Sequence, residues 1–336
     1  MTAAELRDVD RLSDRAPRVS PERLVAELVP PPHFAEARFE TYVPDPAQPT
    51  QAAAVAALSG FAAELSSPPK KGLFRRAAPT GPGGVYLDGG FGVGKTHLLA
   101  SLWFAAPGPK AFGTFVEFTN LVGALGFART VDALGQHRLV CIDEFELDDP
   151  GDTVLVSSLL SRLSERGVRL AATSNTLPGA LGEGRFATQD FLREIQGLSE
   201  RFASVRIDGE DYRHRGLPLA PQPLSDDEVR AAAGARDGAT LDEFAVLLAH
   251  LASVHPSRYG ALLDGVAAVH LLGVTPVADQ NAALRLVVLA DRMYDRDIVV
   301  RASGVPLDQL FPDELLRGGY RKKYLRALSR LTALAR

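Results

Sequence analysis

The run Gly89-Gly-Phe-Gly-Val-Gly94-Lys95-Thr96 constrains this chain more than any other feature. It fits G-x-x-x-x-G-K-[ST] between a strand-length apolar segment and a helical one, the context in which that spacing wraps a phosphate. Glycines at 89, 90, 92 and 94 free the backbone to turn its N–H groups inward, and the positive end of the following helix adds to the attraction. Phe91 and Val93 complete the loop. Lys95 is expected to reach the β- and γ-phosphates of ATP, and the Thr96 hydroxyl to ligate Mg²⁺.

Around the loop, apolar runs of strand length alternate with helical segments, the pattern of a parallel sheet with helical crossovers. Strands are expected at 84–87, 111–118, 139–142, 168–173 and 204–207, with helices at 95–104, 119–127, 152–166 and 190–202. Together they make an α/β, doubly wound P-loop NTPase domain over residues 50–208. Residues 1–49, rich in proline, read as an extended arm, and 209–224 read as a connection. Residues 225–336 read as a smaller, mainly helical unit: Thr240-Leu-Asp-Glu243 resembles a capping box opening a helix, a longer helix spans 279–294, and a basic helix spans 315–334. Short strands are expected at 266–274 and 298–301.

At 336 residues, two such units are a natural division. The 41 acidic against 37 basic side chains leave a net charge of -4, so no global positive field draws the molecule onto nucleic acid or anionic lipid. No apolar run approaches the roughly 18 residues of a membrane span. The mixed charges near the N-terminus do not resemble a signal peptide, so a cytoplasmic location is expected. Cys141 is the only cysteine, which excludes an intrachain disulfide.

Leu139-Val-Cys-Ile142-Asp143-Glu144 is an apolar strand ending in two acids. A buried parallel strand delivers them to the carboxyl edge beside the phosphate loop. There Asp143 would hold Mg²⁺, and Glu144 would orient and deprotonate a water attacking the γ-phosphorus. The next strand ends at Ser174-Asn175, placing a neutral amide between the two motifs, where Asn175 would hydrogen-bond the attacking water or the γ-phosphate. Phosphoryl transfer builds charge on the γ-oxygens, which a neighbouring subunit often offsets with an arginine. Arg185, in Gly184-Arg185-Phe186, ranks first for that role and Arg193 second, so a homo-oligomer or ring is expected. Arg285 interrupts an apolar helical stretch and would face the nucleotide across a cleft between the units. The basic stretch from Arg317 to Arg330 reads first as a solvated helix face.

Taken together, Gly89 to Thr96, Ile142-Asp-Glu-Phe145, Ala172-Thr-Ser-Asn175 and Gly209-Glu-Asp-Tyr212-Arg213 resemble the ZapE family of AAA+-type ATPases. Ala290-Asp-Arg-Met-Tyr294-Asp-Arg296 and Leu328-Ser-Arg-Leu331 extend the resemblance to the C-terminal unit. It implies an AAA+-like fold and a cytoplasmic ATPase that associates with the bacterial division machinery, especially FtsZ. Two other readings compete: a nucleic-acid-associated ATPase of the helicase-loader kind, and a nucleotide-gated interaction protein with little turnover.

Overall fold

The computed structural model describes residues 9–67, 83–90, 92–145, 150–176, 196–197, 200–209 and 221–335. The chain divides into two compact units, Pro21–Arg215 and, in the other, Met1–Ser20 with Gly216–Arg336.

In the first unit, five parallel strands lie in the order β2-β3-β4-β1-β5. They are β1 Gly84–Gly89, β2 Lys110–Thr114, β3 Leu139–Asp143, β4 Arg169–Ser174 and β5 Phe202–Ile207. The described helices are α1 Pro21–Ala26, α2 Pro49–Ser66, α3 Lys95–Ala105, α4 Phe115–Leu125, α5 Phe127–Leu134 and α6 Pro150–Glu165. Strand side chains alternate between the two faces of a sheet. Accordingly Val85, Leu87, Leu139, Cys141 and Ala171 share one core with α2 and α3, whereas Tyr86 packs edge-on against Phe145 and Phe202 instead. Helix α2 buries Gln51, Ala54, Leu58, Phe61, Ala62 and Leu65, one stripe at helical spacing.

The strand expected through Phe118 ends at Thr114. Thr114 and Glu117 form a reciprocal capping box that starts α4 at Phe115, and two satisfied N–H groups outweigh the β propensity of the aromatic run. The helix expected at 190–202 lies largely outside the described residues, and Phe202 belongs to β5.

The second unit carries a parallel three-stranded sheet, β6 Ala239–Glu243, β7 Ala268–Val274 and β8 Val299–Gly304, in the order β6-β7-β8. Its described helices are α7 Asp226–Gly234, α8 Phe244–Ser253, α9 Tyr259–Leu262, α10 Gln280–Asp295, α11 Asp313–Arg317 and α12 Arg321–Leu334. Helix therefore exceeds strand, as expected, but Thr240 to Glu243 form a strand where a helix start was expected. Thr240 and Asp242 are buried, and Asp242 accepts the Leu12 and Ser13 N–H groups at 3.0 and 2.9 Å. Leu241 N–H donates to Asp10 O, and the Leu12 side chain is fully buried in this unit's core. The proline-rich arm is thus divided: residues 9–20 belong to the second unit, while residues 21–49 pack with the first. Among the described residues no helix is long and apolar enough to cross a membrane.

Candidate active site

Strand β1 delivers the glycine loop between β4 and β5. Close packing explains the first glycine: a Cβ on Gly89 would lie 2.2 Å from Ile207 O. Gly92 and Gly94 have φ of 72° and 87°, values that only glycine adopts without strain, and a Cβ on Gly94 would meet the Tyr42 ring at 2.5 Å. Helix α3 opens at Lys95. Its ammonium donates to Gly89 O at 2.9 Å, Gly90 O at 2.5 Å and Asn175 Oδ1 at 2.9 Å, one acceptor for each N–H. Phe91 lies outside the described residues.

The Thr96 hydroxyl donates to Asp143 Oδ1 at 3.2 Å, joining the loop to the end of β3. Burial pushes the Asp143 carboxyl up to about 6, and the neighbouring Glu144 charge adds to the rise; hydrogen bonds from Thr173 and Thr96 oppose it. Paired with the Thr96 hydroxyl, this carboxylate offers two hard oxygen donors, a set that suits a small divalent cation keeping waters and phosphate oxygens as its other ligands.

Glu144 follows in a left-handed conformation, φ 52°, which costs a non-glycine residue roughly 1–2 kcal/mol. Anchors on both sides hold it there. Its N–H donates to Thr173 Oγ1 at 3.1 Å, and Phe145 N–H donates to Thr173 O at 2.7 Å. The fully buried Phe145 ring packs edge-on against Tyr86 and Phe115. Thr173 Oγ1 also donates to Asp143 Oδ1 at 2.5 Å, so one hydroxyl ties both acids to β4.

The structure thus brings together the described loop residues with Lys95, Thr96, Asp143, Glu144 and Asn175. Arg185 and Arg193 lie outside the described residues. Arg285 lies on α10 of the second unit. Its guanidinium donates to Leu251 O and Val254 O, each at 2.9 Å, satisfying carbonyls at the C-terminal end of α8, where a cation is favoured. In the basic terminal helix, Arg326 and Arg330 hold Asp291 at 2.8 and 2.5 Å. Burial would raise the Asp291 carboxyl, but these two guanidiniums outweigh it and hold it below the usual carboxylate range.

Sequence reading did not find the segment 38–51 beside the loop. Tyr42 OH donates to Val93 O at 2.9 Å, and its ring lies 5.8 Å from that of His97. His97 Nε2 lies 3.1 Å from Thr41 Oγ1 and 3.2 Å from Arg38 O. Buried Gln51 accepts Asp45 N–H and donates to Asp208 O. Beyond the loop, Arg206 reaches buried Asp88 at 2.9 Å at the foot of the loop. No local spacing links Arg38, Tyr42, Gln51 or Arg206 to residues 89–96.

A parallel sheet in this order, with a glycine loop leaving β1 and paired acids leaving β3, defines a P-loop NTPase of the AAA+-like class. The chain belongs to the AFG1-like ATPase family, whose profile matches residues 18–234 and 222–336. It is 29% identical over 293 residues to the cell division protein ZapE of Escherichia coli K12, covering 74% of this chain and 76% of that relative. An uncharacterized protein of Schizosaccharomyces pombe is 26% identical over 182 residues, 44% of this chain and 38% of the other. Among solved structures, AMPPCP-bound DnaA from Aquifex aeolicus aligns with a TM-score of 0.40 and 13% identity, over 52% of this chain and half of that one. The DnaC helicase loader aligns at 0.36 and 16%, over 52% of this chain and 99% of that one.

Proposed function

We propose that this chain hydrolyses ATP with Mg²⁺ and uses the cycle to change the conformation of a protein partner in the cytoplasm. Family membership and the likeness to ZapE support a partner in the bacterial division machinery, with FtsZ the first candidate. The observation that carries the hydrolytic reading is the Thr96–Asp143 hydrogen bond, because it brings the phosphate loop and the paired acids within one ion's reach.

In this reading the loop N–H groups and Lys95 hold the β- and γ-phosphates, and Asn175, bonded to the Lys95 ammonium, would hydrogen-bond the γ-phosphate or the attacking water. Thr96 and Asp143 would hold Mg²⁺, which supplies positive charge against the phosphate oxygens when bound. Glu144 orients and deprotonates the water. Arg185, and after it Arg193, is assigned the charge-offsetting role from a neighbouring copy; specific activity that rises with protein concentration would support that assignment.

Glu144→Gln should retain ATP binding and lose turnover by about 10²–10⁴-fold, the usual worth of a positioned base. Lys95→Ala should weaken nucleotide binding itself. Wild-type turnover in the first variant, or unchanged affinity in the second, removes the reading. Hydrolysis measured with and without purified FtsZ tests the partner.

A further inference from the structure

Away from the phosphate loop, a groove of about 440 Å³ runs through the first unit between α1 and α5, a size typical of ligand and peptide pockets. One wall is Glu22, Val25 and Ala26 on α1, with Val29 just past its end. The other is Leu125 at the end of α4, Arg129 and Ala133 one turn apart on α5, and His137 beyond it. Leu28, Pro109 and Lys110 lie between the walls.

Three observations set the chemistry of what fits there. First, the walls are mainly aliphatic, and Val29 is 49% exposed. Second, the titratable groups are biased: Arg129, Lys110 and His137 face the single acid Glu22. Lys110 is already committed, donating to Ala106 O at 2.7 Å with its ammonium 4.4 Å from the Trp103 ring centre. Arg129 is exposed and forms no hydrogen bond or ion pair among the described residues. Third, Leu28 O accepts Phe112 N–H at 2.8 Å, so the wall carrying Val29 is pinned to the edge strand β2 and stays in place without an occupant.

Small and branched aliphatic side chains on both walls, with a guanidinium that is unpaired among the described residues on one rim, complement an amphipathic helix that bears apolar anchors and a carboxylate. We propose that this groove docks an acidic amphipathic helical segment of a partner protein. The inference does not rest on the nucleotide site. Arg129 gives the carboxylate a partner and sets the preference for acidic over basic segments, while Val25, Val29 and Leu125 receive the anchors.

The test uses the full chain, with methyl-labelled Val and Leu, and two fluorescein-labelled helical peptides: leucines along one face, flanked by glutamates in one peptide and by lysines in the other. The glutamate peptide should bind with anisotropy that weakens in salt, shift the Val25, Val29 and Leu125 methyls, and bind at least about tenfold more tightly than the lysine peptide. Arg129→Glu should abolish that preference and Val29→Glu should weaken both peptides, with basal ATP hydrolysis unchanged in each variant. Absence of glutamate-peptide binding, equal binding of the two peptides, or shifts outside the groove would overturn the proposal. So would dodecanoate shifting the same methyls when neither peptide does, which would make the groove a small-amphiphile site instead.

Discussion

Thr173→Val isolates the hydroxyl that holds both acids. The substitution keeps the shape of a buried β-branched side chain and deletes one oxygen. That oxygen donates to Asp143 Oδ1 at 2.5 Å and accepts Glu144 N–H at 3.1 Å. Losing a bond to a charged acceptor costs about 1.5–3 kcal/mol, and leaving the part-buried Glu144 N–H unpaired adds about 1 kcal/mol. A total of about 3 kcal/mol follows once partial relaxation is allowed. The loss should depend on pH. The Thr173 bond favours ionised Asp143, so the penalty is present above the folded value of about 6 and shrinks as pH falls through it and the carboxyl neutralises. Glu144 also loses the contact that holds it at φ 52°, so turnover should fall by one to two orders of magnitude while ATP affinity changes little. Urea unfolding in EDTA at pH 8.5 and pH 5, followed by the single tryptophan Trp103 in α3, measures the first effect. Single-turnover hydrolysis and fluorescent-nucleotide binding measure the second. Thr173→Ser restores the hydroxyl and should recover both. Equal destabilisation at the two pH values, or a serine variant as inactive as the valine, would refute the reasoning.

Three further outcomes follow from the same contacts. Asp143→Asn should stabilise the metal-free protein: with the folded carboxyl raised from 3.8 to about 6, wild-type stability is fully present below 3.8 and declines as pH rises through 6. The variant should therefore gain up to about 3 kcal/mol at pH 8 and nothing at pH 3.5, read from denaturant midpoints in EDTA. Tyr42→Phe removes the hydrogen bond to Val93 O and should weaken ATP binding by about fivefold, the worth of roughly 1 kcal/mol, with turnover preserved at saturation. Leu12→Ala opens a cavity in the second unit's core and should cost about 2–5 kcal/mol there; hydrogen exchange in β6 and α8 should rise, and an unchanged exchange pattern would show that residues 9–20 do not support that unit.

The parts of the site legible in the sequence are those whose meaning is local. Glycine spacing before Lys95 and a hydrophobic run ending in Asp143 and Glu144 each encode their own geometry, because a strand and the turn after it are contiguous in the chain. Thr240 to Glu243 show how the same local code misleads. A threonine with an acid three residues on reads as a helix start, yet Asp242 is buried and receives two N–H groups from a segment some 230 positions earlier. Arg285 stands among apolar neighbours in the sequence, and nothing local announces the two carbonyls at the end of another helix that accept from it. Tyr42 carried no signal, since its partner Val93 lies 51 residues away.

Strand order accounts for the remaining gap. With β4 between β3 and β1, any polar group at the end of β4 meets the acids on one side and the loop on the other. Asn175 could be placed there from sequence because it directly follows the strand, and it does bond Lys95. Thr173 could not, because two residues earlier in an alternating strand a hydroxyl is as compatible with a core face as with the site. Only the register, which pairs Ile142 with Ala172 and Leu87 with Thr173, turns that hydroxyl toward Asp143 and Glu144. Any strand order that removed β4 from between the two motifs would leave the left-handed Glu144 without its anchor. The sheet is therefore part of the candidate site rather than a platform beneath it.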